Sequence, residues 1–426
     1  MNQCKVILLY LISLVQLGNS DLGEGDGRSG KRGTARTRGF LREKKKHAVD
    51  GAGAAEPAEG VRPAGPALRP DARQPPAHPP RRPCKYARER PSLPTGTAQS
   101  QHGHLVNGAG SSCSVYLASG CRVYRIEISL DGAMLSKGKE SLLIPDNAQV
   151  ISSSVVDRCP HRSEIQSVAL AEGEDDCLVL GTVDSYGHLI VSCLDIVADD
   201  IDRTSYSVPP RDCGVGEGSW AGICFSPMQQ SMVAVARELC KTIDIYDQDI
   251  HVRSLRTLWY PSSFSFVQCL PQVNGSSSLL AIAEGSQLSI WDLRMNNNGG
   301  CVQRISGSVG DIIYSTCSSP SGLIGSGGTD CAVTIYDPRR WSALSRWVGC
   351  SKYEITGLSF SSVDQSFIYV QGVDYEITCG HWKQSERAFS FRGDSNWLGF
   401  SKCANNDVIA GWCESGSIFI ADARQL

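Results

Sequence analysis

The sequence predicts an all-β protein: a β-propeller of seven blades, each a four-stranded antiparallel sheet, preceded by a disordered N-terminal segment. Three observations carry this. A short apolar motif ending in an acidic residue recurs at Asp247, Asp292 and Asp337, 45 residues apart at each step. Runs of strand length, rich in Val, Ile, Phe, Tyr and Trp and bounded by Gly, Ser and Asp, fill the intervals. No run of ten or more residues at helical period follows residue 101.

The head comes first in the chain and differs from the rest. Residues 1–100 of the 426 carry 18 Lys+Arg against 9 Asp+Glu, and residues 101–426 carry 23 against 35. The first hundred also hold 11 of the 20 prolines and 2 of the 18 cysteines. This split argues against a uniform globular enzyme. A single long apolar run argues against a multi-pass membrane protein.

That run, Val6 to Leu17, follows Lys5 and precedes Gly18-Asn19-Ser20. A helix of this length spans only ~18 Å against the ~30 Å of a hydrocarbon core, so residues 1–20 read as a signal-like segment rather than a stable span. Residues 21–110 read as a disordered basic Pro/Ala/Gly-rich segment, with too few large apolar side chains to offset the entropy of ordering. Within it, residues 31–46 carry eight basic side chains, a candidate nucleic-acid arm. The match of residues 25–30 to GxGxxG lacks the preceding strand and following helix, and is read as chance.

The body, 111–426, is a repeat. Residues 243–247, 288–292 and 333–337 align as IDIYD, LSIWD and VTIYD. The same element returns at 377–383 with Trp382-Lys383, at 418–422 ending in Asp422, and earlier at 188–195 ending in Asp195. Residues 123–127 are a weaker copy. A first strand precedes each at 164–171, 220–226, 263–270, 311–318, 354–361 and 396–404. A second, ending in small residues, falls at 177–181, 232–236, 279–284, 322–328, 366–372 and 407–411. A polar fourth run follows in most copies, as at 251–260 and 342–348. Four short strands per 40–45 residues is the unit of a propeller blade, whose sheet buries both faces only between two neighbours.

Residues 324–337, IGSGGTDCAVTIYD, together with LSIWD at 288–292, resemble the WD40 repeat family over roughly residues 112–426. The resemblance implies a rigid disc whose loops hold other proteins. It also implies structural roles for Asp195, Asp247, Trp291, Asp292, Asp330, Tyr336, Asp337, Trp382 and Asp422. In the family, a His, a turn Asp, a Ser/Thr and the Trp form a buried hydrogen-bond network within a blade. Here Asp330 suits the turn, but no copy carries Gly-His ahead of its first strand, so apolar packing is expected to take over. Lys383 and Ala421-Asp422 mark the last two blades as the most diverged.

Ring closure is the difficulty. Residues 114–119 and 122–128 read as the second and third strands of the first copy, which lacks an inner one. The last copy lacks an outer one. The missing strands are expected just before residue 112, where only Leu105 and Val106 are apolar. Residues 1 to about 100 are therefore expected to be a divergent or alternative start, standing where propeller strands belong.

Sixteen cysteines lie in the body with no CxxC pair and no zinc spacing, and are expected to be reduced core residues. No nucleophile elbow, Walker loop or HExxH appears, and His161, His188, His251 and His381 are isolated in sequence. The expectation is a non-catalytic scaffold for protein partners, without cofactor or metal, in the cytoplasm or nucleus. Loops 129–141, 197–219 and 293–300 are the candidate contact segments. Two alternatives stay open: a secretory-pathway propeller with a ligand-binding or hydrolytic role, and a nucleic-acid-associated protein using the basic arm.

Overall fold

A computed structural model describes residues 4–8 and 112–423, apart from 130–134, 138–141, 146–148, 173–177, 195–204, 212–217, 230, 269–277, 296 and 308–309. The disorder expected of residues 21–110 and the strand expected just before 112 fall outside the described residues.

The described chain is all-β and forms seven sheets arranged as a propeller. From the axis outwards, the second sheet is Ile165–Glu172, Leu178–Asp184, Leu189–Leu194 and Tyr206–Val208. The third is Ala221–Phe225, Met232–Arg237, Thr242–Asp247 and Ile250–Arg256. The fourth is Pro261–Val267, Leu279–Glu284, Gln287–Asp292 and Cys301–Ser306. The fifth is Ile313–Ser318, Ile324–Gly328, Ala332–Asp337 and Ser342–Val348. The sixth is Ile355–Phe360, Phe367–Gly372, Glu376–His381 and Glu386–Arg392. The seventh shows three strands, Trp397–Lys402, Val408–Cys413 and Ile418–Asp422. Neighbouring first strands pack against each other around the axis.

The burial pattern follows from this stacking. A sheet covered on both faces has no solvent side, so its central strands read as continuous apolar runs rather than alternating ones. Val233 to Ala236 and Leu280 to Ala283 are each at most 1% exposed along four consecutive residues. The outer strands alternate instead, as Ile250–Arg256 does with only Leu255 fully buried. In the third, fifth and sixth sheets a serine just after the first strand caps the following turn: Ser226 Oγ accepts from Gln229 N, Ser319 Oγ from Leu323 N and Ser361 Oγ from Asp364 N.

The first sheet departs from the expected closure. Its second, third and fourth strands are Ser112–Ser119, Arg122–Ser129 and Gln149–Val156. Its inner position is taken not by residues just before 112 but by Cys4–Leu8, from the N-terminal apolar run. This strand pairs in parallel with Ser112–Ser119, Cys4 opposite Cys113 and Leu8 opposite Leu117. It lies between the inner strands of the seventh and second sheets, which closes the ring. The seam is apolar: Cys113, Val115, Leu117 and Ile128 pack on Cys403, Val408, Ala410 and Ile420.

A second departure lies between the third and fourth strands of the first sheet. The chain leaves as a hairpin, Leu135–Lys137 and Leu142–Pro145, and joins the outer edge of the sixth sheet. Leu142 and Leu143 pair in parallel with Ser390 and Phe391. Leu143 is 2% exposed, in a cluster with Phe391, Trp397 and Ala421 that spans the sixth and seventh sheets.

Candidate functional site

The turns between second and third strands meet the crossovers between sheets, either the one that enters their own sheet or the one that leaves it. Backbone hydrogen bonds tie the two: Ser185 N to Glu164 O, Glu238 N to Trp220 O, Thr257 N to Lys241 O, Ile313 N to Gly285 O, Val373 N to Glu354 O and Glu414 N to Asn396 O. These turns and crossovers therefore share one face of the ring, here called the loop face. Hairpins joining first to second and third to fourth strands lie on the other.

The loop face has a distinct composition. Tyr186, Trp259, Tyr260, Tyr353 and Tyr375, all of the exposed Tyr and Trp side chains among the described residues, lie on it. Leu239, Leu258, Ile312 and Val373 join them. The opposite face exposes aliphatic side chains instead, Met228, Ile250, Met295 and Val363. Cations sit over two of the rings, Lys241 Nζ at 4.5 Å from the Tyr260 centroid and Arg392 at 4.8 Å from that of Tyr375.

The backbone beneath these rings is fixed by buried polar groups. Glu284 is fully buried at the end of its strand. Its Oε2 accepts from Leu258 N at 2.6 Å and Trp259 N at 3.0 Å, and Arg304 Nη1 pairs with Oε1 at 2.7 Å. Three groups thus satisfy one carboxylate and set the course of the Trp259 crossover.

The second sheet does the same with a histidine. His161, in the crossover before Ile165, is buried, with Nε2 2.8 Å from Thr182 Oγ1 and Nδ1 3.3 Å from Asp184 Oδ2. Asp184 Oδ1 accepts from Tyr186 N and His188 N, both at 3.0 Å. Burial alone would raise the Asp184 carboxyl, but the contacts with His161 and these two N–H groups outweigh it and hold it below its ordinary value. The histidine takes this place without the Gly-His dipeptide that no copy carries ahead of its first strand. His161 follows Cys159-Pro160 rather than a glycine, and only the fold brings it to Asp184.

Elsewhere ion pairs stand where apolar packing alone was expected. Arg237 pairs with Asp244 at 3.1 Å, Arg304 with Glu284, Arg346 with Asp330 at 2.9 Å, and Arg387 with Glu376. In three of these the arginine comes from the outer strand.

The residues singled out from the repeat occupy equivalent places. Asp247, Asp292 and Asp337 each close a third strand. Asp292 accepts from Ser278 Oγ at 2.9 Å and from three donors of Arg294, and Asp247 from Gln229 Nε2 at 3.3 Å. Trp291 is buried and donates to Ser289 Oγ at 2.9 Å, and Trp382 is buried and donates to Gln365 O at 2.8 Å. Tyr336 packs between the fourth and fifth sheets. Asp330 accepts from Ala332 N and Arg346. Asp422 pairs with Val408. Asp195 lies outside the described residues. These positions hold blades together rather than converging on one site.

Of the candidate loops, 129–141 is described at Ser129 and at Leu135–Lys137, a strand of the crossing hairpin, and 197–219 contains the outer strand Tyr206–Val208. Loop 293–300 lies on the opposite face, where Arg253 Nη1 holds its carbonyls at Leu293 and Met295. The aromatic loop face was missed because its rings sit in short turns whose common face appears only once the sheets are stacked.

Twelve of the described cysteines are free, as expected. Cys193 is the exception: it is disulfide-bonded, which corrects the expectation of uniformly reduced thiols. Burial pushes the thiols of Cys224 and Cys413 up to about 11, and those of Cys317 and Cys350 up to about 12. Among the described residues no helix is long and apolar enough to cross a membrane. A scan against protein-family models matches none, and a search of the curated proteins finds no significant match.

Proposed function

We propose that the chain is a WD40-type propeller serving as a non-catalytic scaffold that holds segments of partner proteins on its loop face. The observation that carries this reading is the segregation of Tyr186, Trp259, Tyr260, Tyr353 and Tyr375 onto that face. Tyrosine and tryptophan offer large contact area at a low cost in rotamer entropy, and they anchor protein interfaces. Turns already fixed by Glu284 and Asp184 lose little freedom on binding. The assignment to the WD40 family draws support from the His161–Asp184–Thr182 contacts, the kind of network the resemblance implies.

The non-catalytic reading draws on the thiols, which burial keeps protonated and poorly nucleophilic. A cytoplasmic or nuclear setting is part of the proposal, supported by the twelve free cysteines. The disulfide at Cys193 favours the secretory reading instead. A thiol count under denaturing, non-reducing conditions separates them: one disulfide or none fits the first, and extensive pairing fits the second.

Affinity capture with the full chain tests the scaffold. Trp259→Ser with Tyr260→Ser is expected to lose partners that the parent retains, whereas Met228→Ser with Val363→Ser on the opposite face keeps them. Identical partner sets for the two double variants would remove the loop-face assignment.

A further inference from the structure

Gln149–Val156, the outer strand of the first sheet, is uncovered on both faces and along its edge. It is the last strand of its sheet, and among the described residues no strand pairs with its far side. Every residue from Gln149 to Val155 is exposed, with Val150 and Ile151 each 57% exposed. The strand reads QVISSSVV and carries neither charge nor proline, two of the devices that keep a sheet edge from pairing with another chain. Behind it, Arg125 and Glu127 neutralise each other at 2.6 Å.

The other outer strands are protected. Tyr206–Val208 is three residues long. Ile250–Arg256, Cys301–Ser306 and Ser342–Val348 each carry arginine. Glu386–Arg392 is covered by the crossing hairpin, and it shows where an outer edge of this ring accepts an added strand. Its ladder skips Ala388, as the ladders of the third to fifth sheets skip Val252, Val302 and Leu344. Just past that bulge, Ser390 and Phe391 pair with Leu142 and Leu143. In the first sheet the ladder skips Ile151, so the equivalent positions are Ser153 and Ser154. The bulge therefore does not block pairing there.

The strand's own sequence selects the occupant. About Ser153 it reads nearly the same in both directions: Val150 matches Val156, Ile151 matches Val155, and Ser152 matches Ser154. Laid antiparallel on a second copy with Ser153 opposite itself, each β-branched residue meets a β-branched residue and each serine a serine. A slip of one residue sets Ser152 against Val155 or Ile151 against Ser154 and loses that match.

We propose that Gln149–Val156 pairs with the same strand of a second copy across a two-fold axis at Ser153, joining two rings at their rims. The contact is isologous, so association stops at two chains. Eight residues a side is well below the roughly 20–30 of a standard interface, which makes the dimer weak and concentration-dependent. The proposal stands independently of the scaffold reading.

The test is equilibrium sedimentation of the full chain over about 1–100 μM, where monomers are expected to convert to dimers and to nothing larger. Ser153 is exposed, so Ser153→Lys and Ser153→Glu are expected to keep the parent's circular dichroism and unfolding midpoint. Each alone sets like charges face to face and is expected to weaken self-association at least ~10-fold. An equimolar mixture of the two sets lysine against glutamate and is expected to restore it. A parent chain that stays monomeric throughout would overturn the proposal. So would dimers that neither substitution weakens, a mixture no more associated than its components, or parent assembly that continues past two chains.

Discussion

Glu284 carries four roles with one side chain: it ends a strand, neutralises Arg304, and accepts two backbone N–H groups from the crossover bearing Trp259. Glu284→Gln retains the shape but loses the charge that strengthens all three contacts. The expected cost is about 1–3 kcal/mol in urea unfolding, with Trp259 fluorescence shifting as its turn loosens. Asp292 is the residue with the clearest pH signature. Hydrogen bonding by the Arg294 guanidinium, aided by Arg294 N and Ser278, outweighs burial and holds its carboxyl down at about 2. A depressed carboxylate stabilises the fold fully above its unfolded value of 3.8, and the contribution fades as pH falls towards 2. Arg294 is largely in water, so the amount is about 1 kcal/mol. Unfolding midpoints measured between neutral pH and pH 2 are expected to lose that increment in Asp292→Asn.

At the scale of the element, the first three strands of the second to seventh sheets were legible because each is a short apolar run punctuated by turn residues, whereas the outer strand Tyr206–Val208 lies in what reads as a contact loop. The 45-residue spacing of Asp247, Asp292 and Asp337 set their order. The two elements that break the repeat were not legible. Cys4–Leu8 straddles the start of an apolar run that continues to Leu17, so nothing in its pattern marks five residues as an inner strand. Leu142–Pro145 directly follows the candidate loop 129–141, and its partner is 248 residues away in sequence, at Ser390 and Phe391. Strand pairing between distant segments depends on which edge is left open, which periodicity does not encode. His161 was missed for a related reason: its partners Thr182 and Asp184 come from a strand about 20 residues on, and only the fold makes them neighbours. Leu143→Ala tests the crossing hairpin. It is expected to cost about 2–5 kcal/mol by opening a cavity among Phe391, Trp397 and Ala421, read as a lowered thermal midpoint. A change within experimental error would mean that the hairpin does not hold the sixth and seventh sheets.

For the molecule as a whole, the seven sheets form a stiff frame and the chemistry that varies is on its rims. The repeat residues Trp291, Asp292, Trp382 and Asp337 sit within this frame. They close third strands or pack between blades, and none of them contributes a ring to the loop face. Function is therefore least visible where the repeat is most regular. The proposed scaffold role rests on the turns, where the sequence departs from copy to copy and the fold gathers Tyr186, Trp259, Tyr260, Tyr353 and Tyr375 on one side. The most direct measurement of that claim is amide hydrogen exchange of the full chain, alone and with a captured partner. The loop-face account predicts slowed exchange at residues 185–188, 257–260, 351–354 and 373–375, with exchange at 227–229 and 362–366 unchanged. Protection confined to the opposite-face turns, or spread equally over both faces, would contradict it.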